Sequence, residues 1–309
     1  MESILFGTKI AVVGGDDREL VLISELVKMG AKVYATGFPK DKVGHEVVVV
    51  RDIEEVCEAA NVLILPVPGT DPKGVIRAIY AEENLKLTEK ALSRLSNNAL
   101  IIIGSAQPFL KEWAKKYNLT LLEIIEMDEV AILNSIPTAE GAIQIAMEET
   151  SITIHKSRSC IIGFGRVGIT LAKSLKALGA DVTIIARSTG QLARAYEMGC
   201  RAKDFKELPE IMANSDICYN TVPHMVLDKQ ILKNSNPSIV IIDLATQPGG
   251  TDFEAANLFG LKAILAPGLP GKVAPISAGR ILADVVPRLI IREMSSLNKE
   301  QLLKNREVL

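Results

Sequence analysis

The chain is poor in the residues from which metal centres and disulfide frameworks are built. Its 309 residues include only four cysteines, three histidines and one tryptophan. The cysteines are far apart and lie in apolar segments rather than in C-x-x-C pairs, so we expect buried, reduced thiols. No group of cysteines and histidines has the spacing of metal ligands, and we expect no metal site.

The chain also lacks an excess of charge of one sign and any long apolar run. The formal net charge is −2 and no stretch is rich in Lys and Arg, which argues against nucleic acid as a partner. No apolar segment reaches the roughly 18 residues that span a bilayer, and Met1–Phe6 lacks the basic start and apolar core of a signal peptide. We therefore expect a cytoplasmic protein without a membrane partner. Its length suggests about two domains.

What the chain does contain is a glycine-rich turn directly after an apolar strand. Residues 160–168 read C-I-I-G-F-G-R-V-G, so that the strand runs into G-x-G-x-x-G. In a dinucleotide-binding turn Gly163 makes the tight bend, Gly165 lets the backbone approach a pyrophosphate, and Gly168 allows close packing of helix on sheet. An amphipathic helix and a second strand follow in the order that this fold requires. The alternative is a glycine turn with a structural role only.

The second strand of this half, residues 181–188, ends without the acidic residue that binds the ribose 2′-hydroxyl of NAD. Arg187 stands there instead, and its guanidinium suits a 2′-phosphate, with Ser188 and Thr189 as further donors. The sequence therefore predicts NADP as the cofactor. The alternative is that Arg187 is an ordinary solvated arginine at a strand end.

The two halves of the chain repeat one pattern. Each has an apolar strand, a glycine turn, a helix and a further glycine, and the spacing from Gly14 to Gly30 equals that from Gly163 to Gly179. The strands are continuous Val/Ile/Leu runs, as expected for parallel sheets covered by helices on both faces. We predict an α/β protein of two doubly wound, Rossmann-like parallel-sheet domains with an interdomain cleft.

The predicted domains are a substrate domain, residues 1–137 with 285–309, and an NADP-binding domain, residues 138–284. An apolar helix follows Pro137, and Thr138 is predicted to cap it. Residues 266–275 are too rich in proline and glycine for regular structure, and a helix over 277–294 is predicted to return to the first domain. Two such crossings would allow the domains to close on the substrate.

The first half lacks the third glycine of the fingerprint, since its turn reads Gly14-Gly15-Asp16-Asp17-Arg18. Ligands of such sheets gather at the carboxyl ends of the strands, so Asp16, Arg18 and Ser105 are predicted to face the cleft as a substrate wall. Arg18 has two interpretations, recognition of a substrate carboxylate or an ordinary arginine on a helix surface.

These motifs resemble those of the dipicolinate synthase A-subunit family over essentially the whole chain. Residues 10–18, 134–141, 248–253 and 266–275 carry the resemblance, and the last two stretches are more specific than a glycine fingerprint. Departures lie beside the motifs, as at His224. The family's domain plan is similar to that of two-domain 2-hydroxyacid and alanine dehydrogenases.

The resemblance implies formation of dipicolinate, pyridine-2,6-dicarboxylate, from a hydroxylated tetrahydropyridine dicarboxylate of the lysine pathway. The reaction would be a loss of water and an NADP-dependent dehydrogenation. The resemblance also implies a flavoprotein-like partner, the B subunit of the synthase, and a place in the mother-cell cytoplasm during sporulation. We further expect a homo-oligomer.

The predicted site residues form three groups. The candidates for a general base are Glu140, His224 and Asp243, whose alternatives are a helix-start acid, a loop histidine and a strand-end residue that orients backbone. The substrate candidates are Asp16, Arg18, Ser105, Asn134, Ser135, Thr138 and Lys272, and Arg280 is a further candidate for an anion site. The cofactor candidates are Gly163, Gly165, Arg166, Val167, Gly168, Arg187, Ser188, Thr189, Thr221, Val222, Pro223, Leu244, Gly268, Leu269 and Pro270.

Two other functions remain open from the sequence. One is an NADP-linked 2-hydroxy- or amino-acid dehydrogenase, which needs a histidine or lysine at the keto oxygen; the first half has neither at a convincing site. The other is an NADP-binding regulatory subunit without activity, because a fold does not prove catalysis. An assay for dipicolinate with and without NADP distinguishes all three.

Overall fold

The structure is a computed structural model that describes residues 4–307, with side chains described up to residue 296. It divides into two compact units. The first contains the residues up to Val130 and those from Pro275 onward, and the second is Ala131–Ala274. The domain boundaries predicted from the sequence, after residues 137 and 284, lie inside the helices Asp128–Glu149 and Pro275–Glu307 and remain predictions; the division after Val130 also lies inside the first of these helices. The interdomain cleft and the closure of the domains on the substrate remain predictions.

The first unit is built on a parallel sheet. Its strands are β1 Lys9–Val13, β2 Lys32–Thr36, β3 Val48–Val49, β4 Val62–Ile64, β5 Val75–Ile76, β6 Leu85–Lys86, β7 Leu100–Ile103 and β8 Thr120–Glu123. Six of these form one sheet in the order β3-β2-β1-β4-β7-β8, and β5 pairs with β6 in a separate antiparallel ribbon. The order of the large sheet is that of a doubly wound nucleotide-binding fold.

Helices cover this sheet because its strands are apolar on both faces. The helices are α1 Asp17–Lys28, α2 Lys40–Val43, α3 Ile53–Glu58, α4 Glu89–Leu92, α5 Pro108–Lys116, the start of α6 Asp128–Glu149, and α13 Pro275–Glu307, with a 3-10 turn at Ile124–Glu126. On one face, strand residues such as Leu63 and Ile101 pack against Val56 of α3 and Leu110 of α5. All four of these side chains are fully buried.

The second unit repeats the same plan. Its strands are β9 Arg158–Ile162, β10 Asp181–Ile185, β11 Arg201–Lys203, β12 Ile217–Asn220, β13 Val240–Asp243 and β14 Lys262–Leu265. They form a parallel sheet in the order β11-β10-β9-β12-β13-β14, which matches the first sheet position for position. The predicted repeat of two Rossmann-like sheets is therefore confirmed.

The helices of the second unit lie on both faces of its sheet. They are the remainder of α6, α7 Arg166–Ala177, α8 Thr189–Glu197, α9 Leu208–Asn214, α10 Lys229–Lys233, α11 Phe253–Leu258 and α12 Leu269–Val273, with a 3-10 turn at Phe205–Glu207. Successive residues of β9 point to opposite faces: Ile161 packs with α6 and α7, while Cys160 and Ile162 pack with α9, α10 and α11. This alternation explains why every position of the strand interior is apolar.

Helix α6 corrects one prediction from the sequence. It runs without interruption from Asp128 to Glu149, with Pro137 in its interior, so Thr138 lies in mid-helix and is not a cap. The Thr138 hydroxyl donates instead to the carbonyl of Asn134, at 2.7 Å. Tertiary packing outweighs the local proline signal here, since Ser135 and Ala139, on either side of the proline, are both fully buried.

The segment 266–275 is more regular than we predicted. A short helix, α12, forms because Pro270 occupies one of its first two positions, where no backbone N–H is needed, and Gly268 adopts a left-handed conformation before it. The helix predicted over 277–294 is confirmed within α13. On α7, Leu171 and Leu175 are buried, whereas Leu178, which follows the last residue of the helix, is 41% exposed.

The four cysteines, Cys57, Cys160, Cys200 and Cys218, are free and buried, as predicted. Burial raises the pKa of Cys57 to about 12, so its thiol stays protonated. Across residues 4–307, the structure contains no helix with both the length and the apolar character needed to cross a membrane.

Candidate functional site

The glycine turn between β9 and α7 has the backbone that a dinucleotide requires. Gly163 has a φ of +91°, and a Cβ there would lie 2.4 Å from the hydroxyl of Thr221. A Cβ on Gly168 would lie 2.3 Å from the carbonyl oxygen of Gly163, so a side chain would push the helix off the strand. A Cβ on Gly165 would meet no protein atom within 4 Å. The turn is tight at its two outer glycines and open at the middle one.

The start of α7 is available to a ligand in a way that the start of α1 is not. Gly165 is the N-cap of α7, and no side chain caps the helix there. In the first unit Asp16 and Glu19 form a capping box on α1, and the N–H of Gly15 donates to the carbonyl of Arg77 at 2.7 Å. An uncapped helix start with an open glycine is where a phosphate binds. The fit of a dinucleotide is thus good in the second unit and poor in the first.

Arg187 lies two residues beyond β10 and is exposed, as are Ser188 and Thr189. Ser188 is the N-cap of α8, yet its hydroxyl makes no capping hydrogen bond and stays available. Gln191, a residue that the sequence did not lead us to predict, donates from Nε2 to the carbonyl of Phe164 at 3.0 Å. This bond joins the start of α8, which directly follows Arg187 and Ser188, to the glycine turn.

The loop after β12 packs on the glycine turn. The backbone N–H and the hydroxyl of Thr221 both donate to the carbonyl of Ile162 at 2.9 Å, and Val222 lies against Gly163. Asn220, also not predicted from the sequence, is fully buried, and its amide bonds the N–H and the carbonyl of Val222 at 3.0 Å each. The sequence signal that could have indicated this role of Asn220 is an asparagine at the end of an apolar strand. Pro223 follows and is exposed.

Asp243 is a buried structural carboxylate. It is fully buried at the end of β13 and accepts hydrogen bonds from the Thr251 hydroxyl at 2.6 Å, from the N–H of Gly250 at 2.9 Å and from the N–H of Ala245 at 3.1 Å. With its oxygens occupied and no route to solvent, it fits the alternative of a residue that orients backbone rather than a general base. Leu244, beside it, donates its N–H to the carbonyl of Asn220 at 2.8 Å.

The segment 248–252 secures the loop that carries His224. The carbonyl of Gly250 accepts from the N–H groups of Val226 and Leu227, at 2.9 and 3.0 Å. Because Asn220 holds the other end of the loop, both ends are fixed while the His224 side chain remains exposed. The motif at 248–253 therefore has a structural role: it positions the loop at the carboxyl edge of the second sheet.

The remaining predicted residues of the second unit are more dispersed. Glu140 is exposed in the middle of α6 and lines a groove with the outer side of α7, so it is not a helix-start acid. Ser135 is fully buried, and its hydroxyl is paired with that of Thr170 at 2.6 Å. Asn134 is half-buried on the same helix. On α12, Leu269 is buried in the core and Lys272 is exposed.

The first turn of the first unit forms a buried charge cluster. Arg18 donates to Asp16 through Nε at 2.8 Å and Nη2 at 2.9 Å, and both residues are buried. Burial alone would raise the pKa of Asp16, but the hydrogen bonds and charge of Arg18 hold it below its ordinary value. The Glu19 carboxylate, which accepts from the N–H of Asp16 at 2.8 Å, is so buried that its pKa rises to about 7.

This arrangement changes the interpretation of Arg18. Its guanidinium has one edge committed to Asp16, and only 7% of the residue is exposed. It is neither the open carboxylate receptor nor the helix-surface arginine that the sequence suggested. Ser105, at the carboxyl edge of the same sheet, is exposed, and Arg280 is exposed on α13.

Comparison with known proteins places the chain in a family. The N-terminal domain model of the dipicolinate synthase A subunit matches residues 9–125, and the NAD-binding domain model of D-isomer-specific 2-hydroxyacid dehydrogenases matches residues 137–246. The dipicolinate synthase A subunit of Bacillus subtilis (strain 168) is 41% identical over 288 residues, covering 93% of this chain and 97% of that protein. The chain belongs to the dipicolinate synthase A-subunit family.

Solved structures of the family agree with this assignment. The crystal structure of the dipicolinate synthase A subunit from Bacillus halodurans has a TM-score of 0.89 at 38% identity and covers 92% of this chain and 98% of its own. The corresponding crystal structure from Bacillus subtilis has a TM-score of 0.89 at 40% identity, with 96% and 100% covered. The chain is therefore an oxidoreductase, and its second unit is a domain for a nicotinamide nucleotide.

Proposed function

We propose that the chain is the NADP-dependent dehydrogenase subunit of a dipicolinate synthase, and that its product is pyridine-2,6-dicarboxylate. Family membership supports the reaction class. The observation that carries the proposal is the open, uncapped glycine turn of the second unit, with Gly165 facing free space and with Gln191, a few residues after Arg187, bonded to the turn. The turn is suited to a pyrophosphate, and Arg187 to the group at the adenosine ribose.

The proposed reaction has two balanced steps. The hydroxylated tetrahydropyridine dicarboxylate loses one water to give a dihydropyridine, and the ring then loses a hydride and a proton to become aromatic. A bound nicotinamide nucleotide supplies the hydride acceptor. The protein has to hold the ring in place, exclude side reactions with water and accept the proton.

His224 is the base that the geometry favours. It is exposed on a loop that is fixed at both ends and that packs, through Thr221 and Val222, on the glycine turn. Asp243 is buried with its oxygens occupied, and Glu140 lies in a groove on the outer side of α7. Histidine is the residue type that most often transfers protons at physiological pH.

The choice of NADP over NAD rests on the end of β10. The strand is followed by Ala186 and Arg187, with no acid at the position that would accept the ribose 2′-hydroxyl. Neither a hydrogen bond nor an ion pair engages the Arg187 guanidinium within the part of the chain that the structure describes. A 2′-phosphate would give this arginine a partner with charge-assisted hydrogen bonds.

A partner protein completes the proposal. The related protein of Bacillus subtilis is named as the A subunit of a synthase, and we propose that this chain likewise works with a B subunit. The turn of the first unit offers no second nucleotide site, because Arg77, Glu19 and Asp16 occupy its backbone groups. A labile dihydropyridine would be better passed between adjoining sites than released into water. We also propose that the chain forms a homo-oligomer and that it acts in the mother-cell cytoplasm.

The test is an assay for dipicolinate by its absorbance, with the lysine-pathway intermediate as substrate. We expect dipicolinate and NADPH to appear together, in equal amounts, only when NADP is present. Reduction of small keto acids by NADPH without dipicolinate formation would instead favour a 2-hydroxy- or amino-acid dehydrogenase. Binding of NADP with neither activity, also in the presence of the B subunit, would favour a regulatory role.

A further inference from the structure

An inserted segment of the first unit closes over the end of β1. Between β4 and β7 the chain forms the ribbon β5–β6, and residues 77–79 run alongside the first turn. The N–H of Gly15 donates to the carbonyl of Arg77 at 2.7 Å, and the N–H of Ile79 donates to the carbonyl of Gly15 at 3.0 Å. The backbone of Arg77 is therefore fixed beside the buried charge cluster.

The two arginines near Asp16, Arg18 and Arg77, differ in how they contact it and in how exposed they are. Arg18 makes the bidentate pair with Asp16, and its side chain is 8% exposed. The Nη2 atom of Arg77 lies 4.0 Å from Oδ2 of the same Asp16, too far for a hydrogen bond, and the Arg77 side chain is 48% exposed. Asp16 thus attracts Arg77 without binding it. Of these two guanidiniums, that of Arg77 is the one that a ligand can reach.

Arg77 also lines a cavity of about 480 Å³ in the first unit. Three acids share the lining, Asp71, Glu82 and Glu83. Asp71 is occupied by its own turn, since it accepts from the N–H groups of Lys73 and Val75 at 2.8 Å, while Glu82 and Glu83 are exposed to solvent. Thr70, buried in the same lining, has a hydroxyl without a hydrogen-bond partner within residues 4–307.

We propose that Arg77 binds a carboxylate of the substrate, and that Asp16, Arg18 and Glu19 are positioning residues for it. This inference rests on the proposed function, because it takes the substrate to be a pyridine-type dicarboxylate. The planar guanidinium can grip a carboxylate with two parallel hydrogen bonds. Because Arg18 already pairs with Asp16, Asp16 attracts Arg77 only weakly, and the half-exposed Arg77 guanidinium stays available to an anion. Of the three acids in the lining, Asp71 is held by its own turn and Glu82 and Glu83 are exposed to solvent, which screens their charge.

The experiment compares the binding of two ligands to the full chain by calorimetry. The ligands are dipicolinate and pyridine-2-carboxylate, which lacks one of the two carboxylates. Arg77→Met should weaken dipicolinate binding about 10- to 100-fold, the range for loss of a charge-assisted pair, and should largely abolish the preference for dipicolinate over the monocarboxylate. Arg77→Lys should recover only part of that preference, because an ammonium cannot reproduce the planar grip.

Arg94→Met is the matched control, since the Arg94 side chain is 46% exposed in the same unit and has an ordinary surface ion pair with Glu58. It should leave both affinities unchanged. An Arg77→Met protein that folds, binds NADP and keeps the dicarboxylate preference would overturn the inference, as would a wild-type chain that does not prefer the dicarboxylate. Failure of the proposed function would look different, because wild-type protein would then form no dipicolinate with NADP.

Discussion

At the scale of single residues, the proposed preference for NADP depends on Arg187. Its guanidinium is exposed beside a helix start whose cap hydroxyl is unused. Charge alone does not distinguish it from the other arginines of the chain. Its position after β10, together with the missing acid, makes it the residue that a 2′-phosphate would meet.

We expect Arg187→Ala to weaken NADP binding by about 1–3 kcal/mol and to leave NAD binding nearly unchanged, because only NADP carries the 2′-phosphate. Titration with both nucleotides measures this. Arg194→Ala, on the following helix α8 and paired at the surface with Glu197, is the control and should affect neither. Equal weakening of both nucleotides by Arg187→Ala would show that the arginine does not read the 2′-phosphate.

Glu19 gives a second prediction, on stability against pH. Burial raises its pKa to about 7 from the ordinary 4.5. Between these values the folded chain keeps a proton that the unfolded chain has lost, so the free energy of unfolding should fall as the pH rises through this window, by on the order of 3 kcal/mol. The lowered pKa of Asp16 acts at more acidic pH and with the opposite sign.

Glu19→Gln tests this, since glutamine is neutral and can still accept from the N–H of Asp16 in the capping box. Urea unfolding at pH 5 and pH 8 measures the free energy of unfolding of both proteins. The value for the variant minus that for the wild type should be larger at pH 8 than at pH 5. Groups common to both proteins cancel in that difference. Parallel stability curves for the two proteins would contradict the ionisation of a buried Glu19 in this range.

At the scale of elements, the two equivalent helices α1 and α7 show how one fold serves two purposes. Each follows the first strand of its sheet. The sequence Gly-Gly-Asp-Asp-Arg-Glu caps α1 with its own side chains, whereas Gly-Phe-Gly leaves α7 uncapped. Capping stabilises the first helix and removes its phosphate site; the uncapped helix keeps the site at some cost in stability.

Two alanine substitutions in the glycine turn should separate binding from stability. Gly165→Ala places a methyl in open space, so we expect a change in the free energy of unfolding within about 0.5 kcal/mol but a clear loss of nucleotide affinity. Gly168→Ala drives a methyl to 2.3 Å from the carbonyl of Gly163 and should destabilise the fold by about 1–3 kcal/mol. Urea unfolding and nucleotide titration measure the two effects. A strongly destabilised Gly165→Ala would mean that the turn serves packing alone.

At the scale of the whole molecule, a single unit carries the nucleotide-binding turn although both units share one topology. The partner implied by the family is another protein, and its effect can be measured.

We expect the chain alone to fold and to bind NADP but to produce dipicolinate slowly, and a purified B subunit to raise the rate at least several-fold. The physical reason is transfer of a labile intermediate between adjoining sites. Rates with and without this partner, at fixed NADP and intermediate, check the prediction. A heat-denatured sample of the B subunit is the control. Equal rates without the B subunit, with the active B subunit and with the denatured one would show that the chain does not need this partner.

The sequence by itself determined the features that depend on local pattern. Continuous apolar strands, glycine spacing and the internal repeat predict two parallel sheets, because burial on both faces and backbone conformation leave a direct trace in residue type. The glycine turn, the end of β10 and the family motifs belong to this class. The same basis predicts buried thiols and a helix over residues 277–294.

Tertiary structure alone decided which polar residues are available. Arg18 and Arg77 are 59 positions apart in number, and nothing local indicates that both face Asp16 or that only one is exposed. Asp243 and His224 are both candidate bases in the sequence, yet Asp243 is buried and accepts three hydrogen bonds, whereas His224 is exposed. Pro137 and Thr138 mark a helix start locally, but core packing carries α6 through them. Long-range contacts decide solvent access and hydrogen-bond pairing, and these two properties separate a reactive side chain from a structural one.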